Sequence, residues 1–184
     1  MRALVAMLAL GIAACAHVPS PEPAEEAANK ASEGTVLRRA TLVVHDIEAS
    51  VAFYETLGFT QWYVGKVGTI SEQGLPVEGA SPGDPNQLII MKGKHPYIGM
   101  IGLLQYGHKR ALPEPGTMRA GDAIMMIEAE GLEEIARRIA AKGYRVHKPL
   151  EKTHIESVDS EWDASFLMVF DPDGNMVELT ERHN

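Results

Sequence analysis

The spacing of apolar and polar positions changes twice along this chain, in the same order each time. Apolar and β-branched residues dominate Val36 to Val44, as in a strand, and Asp46 stands where a helix N-cap belongs. The helix it opens carries Ile47, Val51, Phe53, Tyr54 and Leu57, and Gly58 ends it. Phe59 to Val64 returns to strand, residues 65–86 form a long Gly- and Pro-rich loop, and Gln87 to Met91 and Ile98 to Gln105 are two further strands. The second half repeats the order. Ile124 to Ala129 is a strand, Leu132 to Lys142 a helix, Gly143 its stop, and Tyr144 to His147, Phe166 to Phe170 and Met176 to Thr180 are strands.

Laying Ile47 on Leu132 also lays Gly58 on Gly143, whereas Met100, Ile101 and Leu103 fall on Met176, Val177 and Leu179 at a smaller offset. Two copies of a unit that cannot bury its own sheet imply pairing around a shared core or cleft. The expected fold is α+β: two paired βαβββ modules, residues 35–109 and 110–184, whose curved mixed sheets enclose a cleft. The last two strands meet at Asp173-Gly174, a pair suited to a tight turn, and Glu178 sits in mid-strand with Val177 and Leu179 on the other face.

With 45% hydrophobic and 23% charged residues, the 184-residue chain has the balance of a globular domain with a sizeable core. Its net charge of −8, with Arg38-Arg39 and Arg137-Arg138 as isolated basic pairs, argues against nucleic acid as a partner. The single cysteine permits no intramolecular disulfide.

The first residues carry a different signal. Met1-Arg2 is a short positive region, and Ala3 to Ala14 is an apolar run too short to span a bilayer. It ends in Ile12-Ala13-Ala14-Cys15, which resembles a bacterial lipoprotein signal. Residues 1–14 are then a signal peptide, Cys15 the acylated (palmitate-bearing) N-terminus, and residues 15–34, rich in Pro, Ala and Glu, a tether. The protein is expected to be exported and lipid-anchored, on the periplasmic face of the outer membrane if the cell is Gram-negative, because Ala16 rather than Asp follows the cysteine. An ordinary secretory signal with an incidental cysteine is the alternative.

Asp46-Ile47, Phe53-Tyr54, Leu57-Gly58-Phe59 and Asp171-Pro172-Asp173-Gly174-Asn175 before Glu178-Leu179, set in paired βαβββ units, resemble the vicinal oxygen chelate superfamily. That group includes glyoxalases, extradiol dioxygenases and bleomycin-resistance proteins. The resemblance implies a small organic ligand, and a homodimer, since many members dimerise and some build their clefts across the dimer.

In metal-dependent members four side chains from four strands hold a divalent ion. Carried over, the positions are Arg39, Gly102, Ile124 and Glu178, and only Glu178 is a residue expected of a ligand. Arginine offers no lone pair to a cation, and isoleucine and glycine side chains offer nothing. No metal or cofactor is therefore expected at this site; zinc, nickel, manganese or iron would need displaced ligands, with Asp122 the nearest substitute by strand parity.

Arg39 and Glu178 are either a structural salt bridge or charged anchors in a cleft. Thr41, Met100, Met126, Glu128 and Met176 share their strand parity, and methionines there either line an adaptable ligand site or pack the core. The reading favoured by the residues is a membrane-anchored protein that binds a small molecule as bleomycin-resistance proteins do. The alternative is a glyoxalase-like lyase or isomerase, or another enzyme using Glu178. His108, His147 and His154 lack metal-ligand spacing; His154 and Trp162 fall in the loop expected before the last hairpin, and residues 65–86 are a lid or simply a loop.

Overall fold

Two four-strand ladders with the same strand order make up the fold. In the computed structural model, which describes residues 35–183, the first module runs β1 (Arg39–Val44), α1 (Ile47–Thr56), β2 (Thr60–Val64), β3 (Gly68–Thr69), β4 (Pro85–Lys92) and β5 (Met100–Tyr106). The second runs β6 (Ile124–Glu128), α2 (Leu132–Ala141), β7 (Val146–Glu156), β8 (Glu161–Phe170) and β9 (Met176–His183). The expected signal peptide, Cys15 and the whole of the expected tether, residues 15–34, lie outside the described residues. Among the described residues no helix is long and apolar enough to cross a membrane.

The sheets are ordered β1-β5-β4-β2, with the short β3 also on β4, and β6-β9-β8-β7. In each, the first strand runs parallel to the last and the other pairings are antiparallel. The internal repeat is thus present in topology as well as sequence. The helices, and β1 against β6, keep the 85-residue offset, whereas β5 and β9 begin 76 residues apart.

The second module departs from expectation in one element. Its middle strands are much longer than Tyr144 to His147 and Phe166 to Phe170 suggested, because the charged stretch between them is a ribbon and not a loop. His154 and Trp162 therefore sit in β7 and β8. Cross-strand contacts replace a buried face there: His154 Nδ1 is 2.8 Å from Asp163 Oδ1, and the Arg182 guanidinium lies 4.7 Å from the Trp162 ring centre.

One core serves both modules. It joins Phe53, Tyr54 and Leu103 of the first to Leu132, Ile139, Leu167 and Leu179 of the second. The helices lie side by side within it: the Tyr144 ring, just after α2, meets Phe53 edge-on at 5.0 Å, and Arg138 Nε donates to the Thr56 carbonyl.

Both helices begin on a carboxylate. Asp46 accepts the Glu48 and Ala49 amides of α1. At α2 the preceding residue is Gly131, which has no side chain, and Glu181 reaches over from β9 to accept the Gly131 and Leu132 amides at 2.8 and 3.0 Å. Those amides hold Glu181 below the usual carboxylate range. Burial opposes the same shift at Asp46, but the Lys109 ammonium and the two helix amides outweigh it.

The Asp171–Asn175 turn clamps the modules together. Tyr54, fully buried on α1, donates its hydroxyl to Asp171 Oδ2 at 3.0 Å, and the amides of Asp173 and Asn175 donate to Asp171 Oδ1. Asp173 Oδ1 accepts the His45 backbone amide at 2.7 Å and lies 2.8 Å from its ring Nδ1, while Asp173 Oδ2 is 3.0 Å from Ser50 Oγ. Gly174 supplies the left-handed conformation, φ +85°, that the turn needs. Burial pushes Asp171 above the usual carboxylate range despite its hydrogen bonds, and burial with the adjacent Asp171 charge raises the Tyr54 phenol.

Two predictions follow from these contacts. Tyr54→Phe removes a buried donor and should lower the unfolding free energy by about 1–3 kcal/mol in urea titrations; an unchanged midpoint would show that the clamp adds nothing. For pH, a depressed folded pKa means stability present above the unfolded value and lost as pH falls through the folded one. Glu181→Gln should therefore cost about 1 kcal/mol at pH 7 and converge with the parent protein near pH ~3. A constant difference across that range would remove Glu181 as an ionised cap.

Candidate functional site

Strand alternation divides each sheet into a face toward the helices and a face away from them. On β1 the inward residues end at Val44, which is 1% exposed, while Arg39, Thr41 and Val43 take the opposite face. Parallel pairing sets Arg39 beside Met100 and Thr41 beside Gly102, and antiparallel pairing extends that row to Ile90 and Tyr63. In the second sheet the corresponding face carries Ile124, Met126 and Glu128 on β6, beside Met176, Glu178 and Thr180 on β9. Met168 lies across from Glu178 on β8, and Phe166 from Thr180.

The sequence candidates thus form two groups. Arg39, Thr41, Met100 and Gly102 are neighbours on the first sheet; Ile124, Met126, Glu128, Met176 and Glu178 are neighbours on the second. Among the described residues no hydrogen bond or ion pair joins Arg39 to Glu178. Arg39 is exposed and its Nε donates to Thr41 Oγ1 at 3.0 Å; Glu178, half-buried, accepts from Thr180 Oγ1 at 3.4 Å. The methionines divide as well: Met100 and Met176 are buried, whereas Met126 is 67% exposed and Ile124 50%. Only parts of these outer faces are open to solvent, at Arg39, Thr41 and Val43 on the first and at Ile124, Met126 and Glu128 on the second among others.

Asp122 sits in an exposed turn where its Oδ2 accepts the Arg119 amide at 2.7 Å. It borders a hollow of about 500 Å³ beside the Asp173–Met176 turn. Glu128 borders another, of about 710 Å³, together with Phe59, Lys94, Ile135, Arg138 and Glu181. Neither hollow includes Arg39, Thr41 or Glu178.

Gly102 has a specific consequence. A Cβ built there would lie 2.7 Å from Thr41 Oγ1 and 3.1 Å from Arg39 Cδ, so the Arg39 and Thr41 side chains take up the space a longer residue would need. The position is buried. A divalent ion needs three or four lone-pair donors converging on it, and here a permanent cation and a hydroxyl cover a glycine. Ile124 adds no donor, and Glu178 is the sole carboxylate at the four positions. The residues present do not fit a metal there. Among the described residues no group of three or more His, Cys, Asp or Glu is arranged to hold one.

One side chain on the first sheet's outer face, Lys92, escaped the sequence reading. The alternation Leu88-Ile90-Lys92 carries the signal for Lys92, but its meaning depends on the β4–β5 register.

The model of the glyoxalase/bleomycin resistance protein/dioxygenase superfamily matches residues 36–179. The chain belongs to that superfamily. No curated protein sequence matches significantly. A glyoxalase family protein from Bacillus cereus shares the fold at 15% identity and TM-score 0.54, covering 83% of this chain and 97% of that one. A domain of the same superfamily from Frankia sp. aligns at 15% identity and TM-score 0.51, covering 83% and 100%. The trypanothione-dependent glyoxalase I of Leishmania major aligns at 16% identity and TM-score 0.50, covering 80% and 86%. At these identities the likeness concerns the fold alone.

Proposed function

We propose that this protein binds a small organic molecule on the outer faces of its two sheets, without a metal ion at the positions used by metal-dependent relatives. The observation that carries the reading is the packing at Gly102: Arg39 and Thr41 lie over a glycine where those relatives place a ligand. A carboxylate alone, Glu178, would bind a divalent ion only weakly and leave it largely hydrated. The exposed Met126 and Ile124, with half-buried Met168 and Phe166, supply the apolar surface a ligand body needs.

A second copy of the chain completes the site in this reading. Neither outer face is closed within the described residues: Val43 is 41% exposed on the first sheet, and Met126 and Ile124 more so on the second. Covering an outer face with a partner copy would bury these residues.

The N-terminal sequence supports a membrane location for the domain. Met1-Arg2, the apolar run and Ile12-Ala13-Ala14-Cys15 support export, cleavage and acylation of Cys15. Residues 15–34 then act as the tether.

Elemental analysis of protein purified without chelator should find well below one equivalent of zinc, nickel, manganese or iron. Stoichiometric metal that is lost on Glu178→Ala would overturn the metal-free reading in favour of a lyase- or isomerase-like enzyme. Radiolabelled palmitate should enter the full chain expressed in bacteria, and Cys15→Ser should abolish both label and membrane sedimentation. Membrane association that survives the substitution would remove the anchor.

A further inference from the structure

We infer that the ligand is an organic anion, held by Arg39 and Lys92 on the outer face of the first sheet. The inference rests on the ligand-binding reading above and adds the charge class of the ligand and the residues that select it.

The register places the two cations on one row. Arg39 stands beside Met100, and continuing the β4–β5 ladder one residue beyond Met91–Ile101 brings Lys92 opposite Met100. Their Cα atoms are therefore two strand spacings apart, roughly 10 Å. Among the described residues neither cation is paired with a carboxylate, although the chain carries 25 acidic residues against 17 basic ones. The strand positions of this face include no Asp or Glu: they are Arg39, Thr41 and Val43 on β1, and alternate residues from Met100 on β5 and from Asn86 on β4. An acid-free face with two uncompensated cations is an attractive surface for an anion in an otherwise acidic protein.

Arg39 is also prepared for such a group. Gly102 leaves room for its side chain to lie along the strand, and the bond from Nε to Thr41 Oγ1 fixes the plane of the guanidinium. Its two terminal nitrogens donate to no protein acceptor among the described residues. A fork held by one edge and open at the other suits a carboxylate, which accepts two parallel N–H bonds.

Beyond the cations the face becomes apolar. Ile90 and Met100 form its buried floor, with Leu88 and Leu104 half-buried further along. The far end is shut by the segment after β3, where the Leu75 amide donates to the Tyr106 hydroxyl at 2.8 Å. Gly74 is required there, since a Cβ at that position would collide with the same hydroxyl. The face thus has a positive end and a hydrocarbon end, a pattern suited to a carboxylate on an aromatic or aliphatic body.

Calorimetric titration with three probes tests this: 2-naphthoate, its neutral amide 2-naphthamide, and naphthalene-2,6-dicarboxylate. The acid should bind at least tenfold more tightly than the amide, with the advantage shrinking as salt is raised. Arg39→Gln and Lys92→Gln should each weaken 2-naphthoate or the dicarboxylate by about tenfold and leave 2-naphthamide unchanged. Arg39→Lys should retain part of the preference. Arg39 is exposed and Lys92 half-buried, so unchanged far-UV circular dichroism is the check that both variants fold. Equal affinity for acid and amide, or 2-naphthoate binding indifferent to both glutamine variants, would overturn the anion inference while leaving ligand binding intact. If neither charged nor neutral probe binds, both fall together.

Discussion

The grip of the Asp171–Asn175 turn on helix α1 is the contact on which the arrangement of the domain depends. Two carboxylates two residues apart divide the work. Asp171 turns inward, closing its own turn and accepting the buried Tyr54 hydroxyl. Asp173 reaches the amino end of α1 at His45 and Ser50, where the helix dipole favours negative charge. Neither module has enough apolar surface on one helix to cover its own sheet. Locking the last turn of the second module to the first helix holds α1 and α2 together in a single core.

Because the core takes the helix-facing side of both sheets, the opposite sides carry the chemistry, and they differ. The first presents Arg39, Lys92 and Thr41; the second presents Glu128 and Glu178 among Met126, Met168 and Phe166. This difference arises within a repeat whose helices and first strands still share an 85-residue offset. The scaffold is twofold in topology, while its outer faces differ in the residues they carry: the second also holds Lys148 over Phe166 and Arg182 over Trp162.

Much of this was legible in the amino-acid order, for identifiable reasons. Helical spacing, the Asp46 cap and the stops at Gly58 and Gly143 are local signals, and the helices begin where those signals place them. The β7–β8 ribbon was not legible, because Pro149 and a run of charged residues obscure the period of two that its ladder follows. Asp171 and Asp173 could be read as a turn but not as a clamp, since their partners Tyr54 and His45 lie 117 and 128 residues away. The same limit applies to the candidate site. Strand parity grouped Arg39 with Glu178, whereas membership of separate sheets is a property of the pairing and has no local signature.

The residues at the four metal positions are best understood as coupled. Arg39 extends along β1 because Gly102 has no side chain to meet it, and Gly102 is buried because Arg39 and Thr41 cover it. A glutamate introduced at position 102 alone would face a guanidinium, which would neutralise it before any divalent ion could. A histidine at position 39 alone would have Met100, Thr41 and Gly102 as its strand neighbours, with no second metal donor among them. Neither single change supplies a set of converging donors. Glu178 therefore stands at these four positions without a second donor beside it that could share an ion.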